Sequence, residues 1–309
     1  MMNRREFLMS AAAAGFVGQT IGAEKSCASN GAGGKGGEIL FGVCGSLKNA
    51  KIFKAHGYDF IESSVANVLK PNSSEEEWKK QKDVILNAPI PLRSCNGFIP
   101  GTFRITGPEA KFGPALDYAE KALRRAEEVG VKIIVFGSGG ARNVPGDFCG
   151  GRKRSPDIEG GMKQFTEFCR LLCRRVDDLK NVQVVIEPLR PNESNVINYV
   201  WQGMQVVREV KHPRLQELAD FYHMLSGRES ASSIIDAGDS LKHCHIASRG
   251  TRRYPGSNPN DAEIFKPYFD ALRRIGYAGG VSCECGWPKD KNEYEKALDT
   301  ALALMKSLA

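Results

Sequence analysis

Past its N-terminus the 309-residue sequence has no apolar run approaching the roughly 18 to 20 residues a membrane-spanning helix needs, which excludes a multi-spanning membrane protein. Positive charge is in only slight excess. Forty-three lysines and arginines stand against 36 acids, for a net +7, and they are scattered. No nucleic-acid-binding face is indicated. The nine cysteines lack the paired spacing of a zinc ribbon: Cys169 and Cys173 stand four apart, and no second pair matches them. They are expected to be free, mostly buried thiols. The glycine-rich stretch Gly137-Ser-Gly-Gly-Ala-Arg142 lacks the GK[ST] ending of a phosphate-binding P-loop. What remains is ordinary globular composition, 41% hydrophobic, 26% charged and 8% aromatic, in a chain long enough to bury one large core.

Residues 1–30 read as an export signal and flexible spacer, and residues 31–309 as a single domain. Asn3-Arg4-Arg5-Glu6-Phe7-Leu8 places a twin arginine before a mild apolar region, Met9 to Ala23, that ends in an expected cleavage site at Ile21-Gly22-Ala23. That pattern resembles a twin-arginine signal, a route that carries folded cargo out of the cytoplasm. The expected location is periplasmic or otherwise extracytoplasmic, with no membrane segment in the mature form.

Beyond the spacer, strand and helix alternate. Strands are expected at 39–43, 58–62, 91–98, 131–136, 182–187, 215–220, 242–247 and 280–285. Helices are expected at 47–56, 74–87, 108–129, 160–179, 196–210, 231–237, 262–275 and 293–307, the sixth being the weakest. Eight β-then-α units fit a (β/α)₈ TIM barrel, an α/β fold, better than an open sheet.

In such a barrel the active site lies where the strands end. Strands five to eight close on Glu187, Asp220, His245 and Glu284, each a polar residue finishing an apolar segment. Burying one is costly unless it is paired or binds a metal. Singly, each could cap a helix or bond to backbone. Four at corresponding strand ends point to one divalent metal, and oxygen-rich donors favour Mn²⁺, with Mg²⁺, Co²⁺ or Zn²⁺ as alternatives. Cys283 and Cys285, alternating with Glu284, turn away from the face it uses. His243 shares a face with His245 one layer deeper and reads as a core residue. His56 and His212 read as structural. Glu62, ending strand two, is a mouth residue without an assigned role, and Asn96-Gly-Phe98 is expected in the pocket wall. The 137–142 loop is expected to shape the substrate pocket.

These residues resemble the xylose-isomerase-like barrel superfamily of sugar isomerases and epimerases, its D-tagatose 3-epimerase-like branch above all, over residues 39–309. The resemblance implies that Glu187, Asp220, His245 and Glu284 are the metal ligands. It implies substrate contacts from Glu193 in Glu187-Pro-Leu-Arg-Pro-Asn-Glu193, and from His223, three residues past Asp220. An arginine after strand seven completes the set. The gap from His245 is one residue longer here than in the family, so Arg252 and Arg253 both qualify. The implied activity is isomerisation or epimerisation of a ketose or keto-sugar through a cis-enediolate, with Glu187 and Glu284 as acid and base. Dehydration or another β-elimination of a keto-sugar or keto-inositol would run on the same site, and a non-catalytic sugar-binding protein is a further alternative. The implied partner is a small sugar or polyol, in a homodimer or tetramer. A repair endonuclease sharing the barrel draws on several histidines for three metals. This chain has five, and only His56 precedes residue 200.

The signal has a direct test. Changing Arg4 and Arg5 together to Lys is expected to trap precursor in the cytoplasm, read by fractionation and immunoblotting. Equal extracytoplasmic amounts of both forms would reduce the pair to a basic tail.

Overall fold

The computed structural model describes residues 37–146, 148–149, 152–153 and 156–309. The expected signal and spacer, residues 1–30, lie outside them. Eight strands close into a barrel: β1 (Leu40–Cys44), β2 (Phe60–Ser64), β3 (Leu92–Asn96), β4 (Ile133–Phe136), β5 (Gln183–Ile186), β6 (Leu215–Asp220), β7 (Leu241–Ile246) and β8 (Gly280–Cys283). Each pairs in parallel with its neighbours in sequence, and β8 closes on β1. The eight following helices are α1 (Ala50–Ala55), α2 (Glu75–Leu86), α3 (Phe112–Glu128), α4 (Ile158–Arg175), α5 (Val200–Val210), α6 (Ser232–Ala237), α7 (Asp261–Arg274) and α8 (Lys291–Leu308). The expected (β/α)₈ barrel is the fold. Among the described residues no helix is long and apolar enough to cross a membrane.

Local chemistry sets the helix starts. Ser74 and Glu77 form a reciprocal capping box at α2, and three glutamates occupy its first turn. Asp290 caps α8 by accepting from the amides of Asn292 and Glu293. The third helix begins at Phe112 and not at the expected Pro108, because Lys111 is extended. The sixth is as short as its sequence suggests. Three short helical segments, Val65–Val68, Gly139–Arg142 and Phe221–Ser226, and a small antiparallel pair, Phe148–Cys149 with Arg152–Lys153, add to the expected elements.

The main apolar core lies between barrel and helices, and a smaller cluster inside the barrel consists of Ile133, Val135, Val185 and Leu218. Apart from that cluster and Phe60, the interior is lined by polar residues: Glu62, Ser94, His243 and Ser282 are all buried there. Two β-bulges make this possible. Between β2 and β3 the register runs Ile61 to Leu92 and then Glu62 to Ser94, skipping Arg93. Between β6 and β7 it runs Glu217 to Leu241 and then Leu218 to His243, skipping Lys242. In a regular strand, residues two apart share a face. The extra residue lets Leu92 and Leu241 join the outer core while Ser94 and His243 turn inward.

Phe60 fills the lower barrel. A Cβ on Gly42 would sit 2.2 Å from its ring and one on Gly280 2.8 Å from it, so both positions require glycine. Phe60→Ala is expected to cost about 3–5 kcal/mol, the usual range for emptying a buried aromatic site, read as a lower urea midpoint with unchanged slope. A loss under about 1 kcal/mol would mean the barrel collapses around the gap.

Candidate metal centre and active site

The centre grows from one buried carboxylate. Glu62 Oε2 accepts hydrogen bonds from Ser94 Oγ (2.6 Å) and Ser282 Oγ (2.9 Å) and lies 2.7 Å from His243 Nε2. Its Oε1 lies 2.8 Å from His245 Nε2. Burial alone would raise this carboxyl, but His245 and His243 outweigh burial and hold it well below the usual carboxylate range. With Nε2 committed to Glu62, His245 turns Nδ1 toward the mouth. There it meets Glu187 Oε1 at 3.1 Å, Glu284 Oε2 at 3.6 Å and Asp220 Oδ2 at 3.9 Å. Burial would lower the imidazole, yet Glu62, Glu284 and Glu187 together hold it well above the ordinary histidine range.

One donor atom from each of Glu187, Asp220, His245 and Glu284 lies within 4.8 Å of the others. Three carboxylates this close repel one another unless a cation lies among them. Burial, followed by Glu187 and Asp220, raises the Glu284 carboxyl to about 7 against the opposing pull of His245 and Arg252. The donor set, three carboxylates and an imidazole backed by a carboxylate, fits a hard divalent cation, and the Glu62–His245 contact is the kind that fixes a ligating histidine's tautomer. A second three-residue group, Cys44, Glu62 and His245, shares His245 with the first. Glu62 is already engaged there by four donors.

Each ligand candidate is held by local structure. Asp220 divides its two oxygens: Oδ1 caps the Phe221–Ser226 turn, accepting from the amides of Tyr222 (2.7 Å) and His223 (3.2 Å), while Oδ2 faces His245. Glu187 follows β5, and its carbonyl accepts from the fully buried Arg142 at 2.6 Å. Arg142 also donates to the carbonyls of Phe136 and Ile197, tying the ends of β4 and β5 together. The glycines before it make room for the site. A Cβ on Gly137 would fall 2.2 Å from Glu187 Oε2, and one on Gly139 2.4 Å from the Glu193 carbonyl. The 137–142 loop therefore packs against the metal-ligand candidates, which explains its glycines without a phosphate.

Arg252 donates to Glu284 Oε2 (2.5 Å) and Glu193 Oε1 (3.0 Å) from a left-handed backbone, φ 51°. Arg253 is exposed and lies over the Tyr254 ring. Of the two arginines, the structure brings only Arg252 to the cluster, because the left-handed turn aims that side chain inward. Arg190 bonds Glu193 (2.7 Å) and the Tyr222 hydroxyl (2.6 Å). The Tyr222 ring has the guanidinium carbons of Arg190 and Arg252 at 5.2 and 5.1 Å from its centre. Arg190, Tyr222 and Arg142 do not stand out in the sequence. Their signal was an arginine or tyrosine beside a candidate ligand, too common to stand out. His223 is buried with neither ring nitrogen hydrogen-bonded among the described residues, 3.4 Å from Asp220 Oδ2 and 3.9 Å from Glu193 Oε2. On the far side of the mouth, Asn96 donates to Glu284 Oε1 at 3.1 Å. Next to it a cleft of about 640 Å³ is lined by Ser46, Ser64, Asn67 and Lys70, among others.

A family profile described as "Xylose isomerase-like TIM barrel" matches residues 50–308. Among curated proteins, a ketose 3-epimerase of Arthrobacter globiformis is 30% identical over 145 residues, 45% of this chain and 48% of that protein. The chain thus spans about half the length of this curated relative. Among solved structures, a D-psicose 3-epimerase with D-tagatose from Clostridium cellulolyticum superposes with a TM-score of 0.73 at 18% identity. It covers 87% of this chain and 99% of that one. A 3-keto-D-glucoside 4-epimerase from E. coli gives 0.69 at 22% identity, covering 87% and 100%. These two superpositions establish the shared barrel.

Gly137→Ala isolates the packing that holds Glu187. The added methyl must displace its carboxylate, so divalent-metal affinity is expected to fall at least tenfold in calorimetric titration while circular dichroism stays unchanged. Gly113→Ala, with open space around its Cβ, is the control and keeps full affinity. Equal affinities would detach Glu187 from the metal set.

Proposed function

The chain belongs to the xylose isomerase-like TIM barrel family, and from that premise we propose that it is a divalent-metal-dependent sugar epimerase or isomerase acting on a ketose or keto-sugar. The observation that carries this reading is the order of the four donors. Around the barrel they run Glu187 after β5, Asp220 on β6, His245 on β7 and Glu284 after β8, so the two glutamates stand at the ends of one arc. A substrate bound at its centre meets a carboxylate on either side. The 3-epimerase relative supports the same class of chemistry.

A divalent cation, Mn²⁺ by the hardness of the donors, would stabilise negative charge developing on the substrate's carbonyl and neighbouring hydroxyl oxygens. The residues supply the rest. One glutamate takes the proton from the carbon beside the carbonyl, generating an enediolate. The other returns a proton to the opposite face, which inverts the centre. His223 presents unpartnered ring nitrogens to a sugar hydroxyl, and Arg252, held by Glu193 and stacked on Tyr222, offers a planar donor fork to vicinal oxygens. Glu187, Asp220, His245 and Glu284 would together hold the metal, and Glu62 would keep His245 in the ligating orientation. The proposal extends to location: the twin arginine would send the folded chain out of the cytoplasm, toward unphosphorylated sugars and polyols.

Glu187→Gln and Glu284→Gln test the mechanism, since each keeps shape and one oxygen donor but loses basicity. Turnover is expected to fall roughly 10²–10⁴-fold in each, the usual worth of a general acid or base, with substrate still bound. In D₂O, NMR of a panel of ketoses, keto-glycosides and inososes should show deuterium entering the carbon that inverts. Near-normal turnover in both metal-loaded variants would end the two-glutamate mechanism. Departure of a leaving group would make the enzyme a β-eliminating lyase.

A further inference from the structure

At the opposite end of the barrel, below the polar interior, lies a cavity of about 460 Å³. Strand starts at this face of an (β/α)₈ barrel ordinarily serve stability alone. Here three cations, Arg93, Lys132 and Lys242, line the cavity, with Asp239 as its one acid. A purely stabilising role would pair them. Among the described residues none of the three side chains has an ion pair or a side-chain hydrogen bond, and Arg93 Nε is buried without any partner. Two of the three are the residues skipped by the bulges: Arg93 in β3 and Lys242 in β7. Bulges re-aim side chains at functional sites. Two in different strands delivering cations to one cavity is more than the Ser94 and His243 positions alone require.

We propose that this basal cavity is a binding site for a phosphate dianion, either free phosphate or the phosphate of a small phosphomonoester. The three cations less Asp239 leave an excess of two positive charges, which matches a dianion. Arg93 supplies a planar fork and the two lysines supply point charges, a combination suited to phosphate oxygens. The volume exceeds what one phosphate needs and leaves room for a short organic tail beside Asn181 and Gln183, whose side-chain amide nitrogens are already donated to Glu127 and the Pro213 carbonyl. The site is separate from the metal centre and does not depend on the proposed epimerase activity.

Calorimetric titration of the purified full chain with inorganic phosphate, and separately with glycerol phosphate, is the test. Saturable one-to-one binding that weakens as salt is added is expected for both. Tighter binding of glycerol phosphate would identify the monoester as the better ligand, and equal binding would identify the dianion itself. Arg93→Gln and Lys242→Gln should each weaken binding at least tenfold, and Lys132→Gln, at an exposed position, serves if either variant folds poorly. Arg252→Gln, at the other end of the barrel, should bind as the parent does. Absence of saturable binding overturns the proposal. So does binding unchanged in the three basal variants, or binding lost in Arg252→Gln, which would put the anion at the mouth.

Discussion

A single carboxylate buried inside the barrel organises this protein. Glu62 has no access to solvent, and an unpaired charge there would be prohibitively costly. Two serines, from β3 and β8, and two imidazoles of β7 surround it. The demand runs outward from that point. His243 and His245 must stand on one face of β7, Ser94 must point inward from β3, and Ser282 from β8. Once His245 gives Nε2 to Glu62, Nδ1 has one direction left, toward Glu187, Asp220 and Glu284. The geometry of the mouth is thus set from below, by a residue that is not itself in the cluster of four donors.

Space around the cluster is arranged with equal strictness. Glycines at 137 and 139 let the β4 loop approach a carboxylate and a carbonyl more closely than any side chain would permit. Arg142 then enters the protein interior and satisfies carbonyls that would otherwise be left bare at the strand ends. Burial pulls this guanidinium down to about 10, with Glu187 and Glu217 opposing the fall, so it stays charged at neutral pH. Tyr222, lying between two arginines, fixes Arg252 without a direct bond to it. Rigid support of this sort keeps the four candidate donors in register without relying on the loops to order themselves.

Much of this was legible in the sequence because barrels repeat. Eight apolar segments separated by amphipathic ones announce the fold, and Glu187, Asp220, His245 and Glu284 stand out as polar residues ending such segments. The structure gathers all four. Alternation also placed His243 on the inner face with His245, but its partner, Glu62, could not be found from sequence. Their pairing joins β2 to β7 across the barrel, and nothing local encodes that. Bulges were invisible for a related reason: Leu92-Arg-Ser94 and Leu241-Lys-His243 read as ordinary strand, and only cross-strand register shows a residue left over. The Arg252 and Arg253 ambiguity was a matter of one backbone angle, a left-handed turn at a residue type that gives no warning of it.

The free thiols carry a consequence of their own. Seven cysteines are free thiols, spread over β1, β3, α4, β7, β8 and the residue after Glu284, and five of them are buried. Burial pushes those of Cys95 and Cys169 well above the ordinary thiol range and those of Cys173 and Cys244 up to about 12. As the thiolate is the reactive form, these sulfurs are chemically silent while the barrel is closed. A thiol reagent would label them only when a strand or helix opens. The rate at each cysteine would then measure local opening at that element, giving a map of where the closed barrel first comes apart.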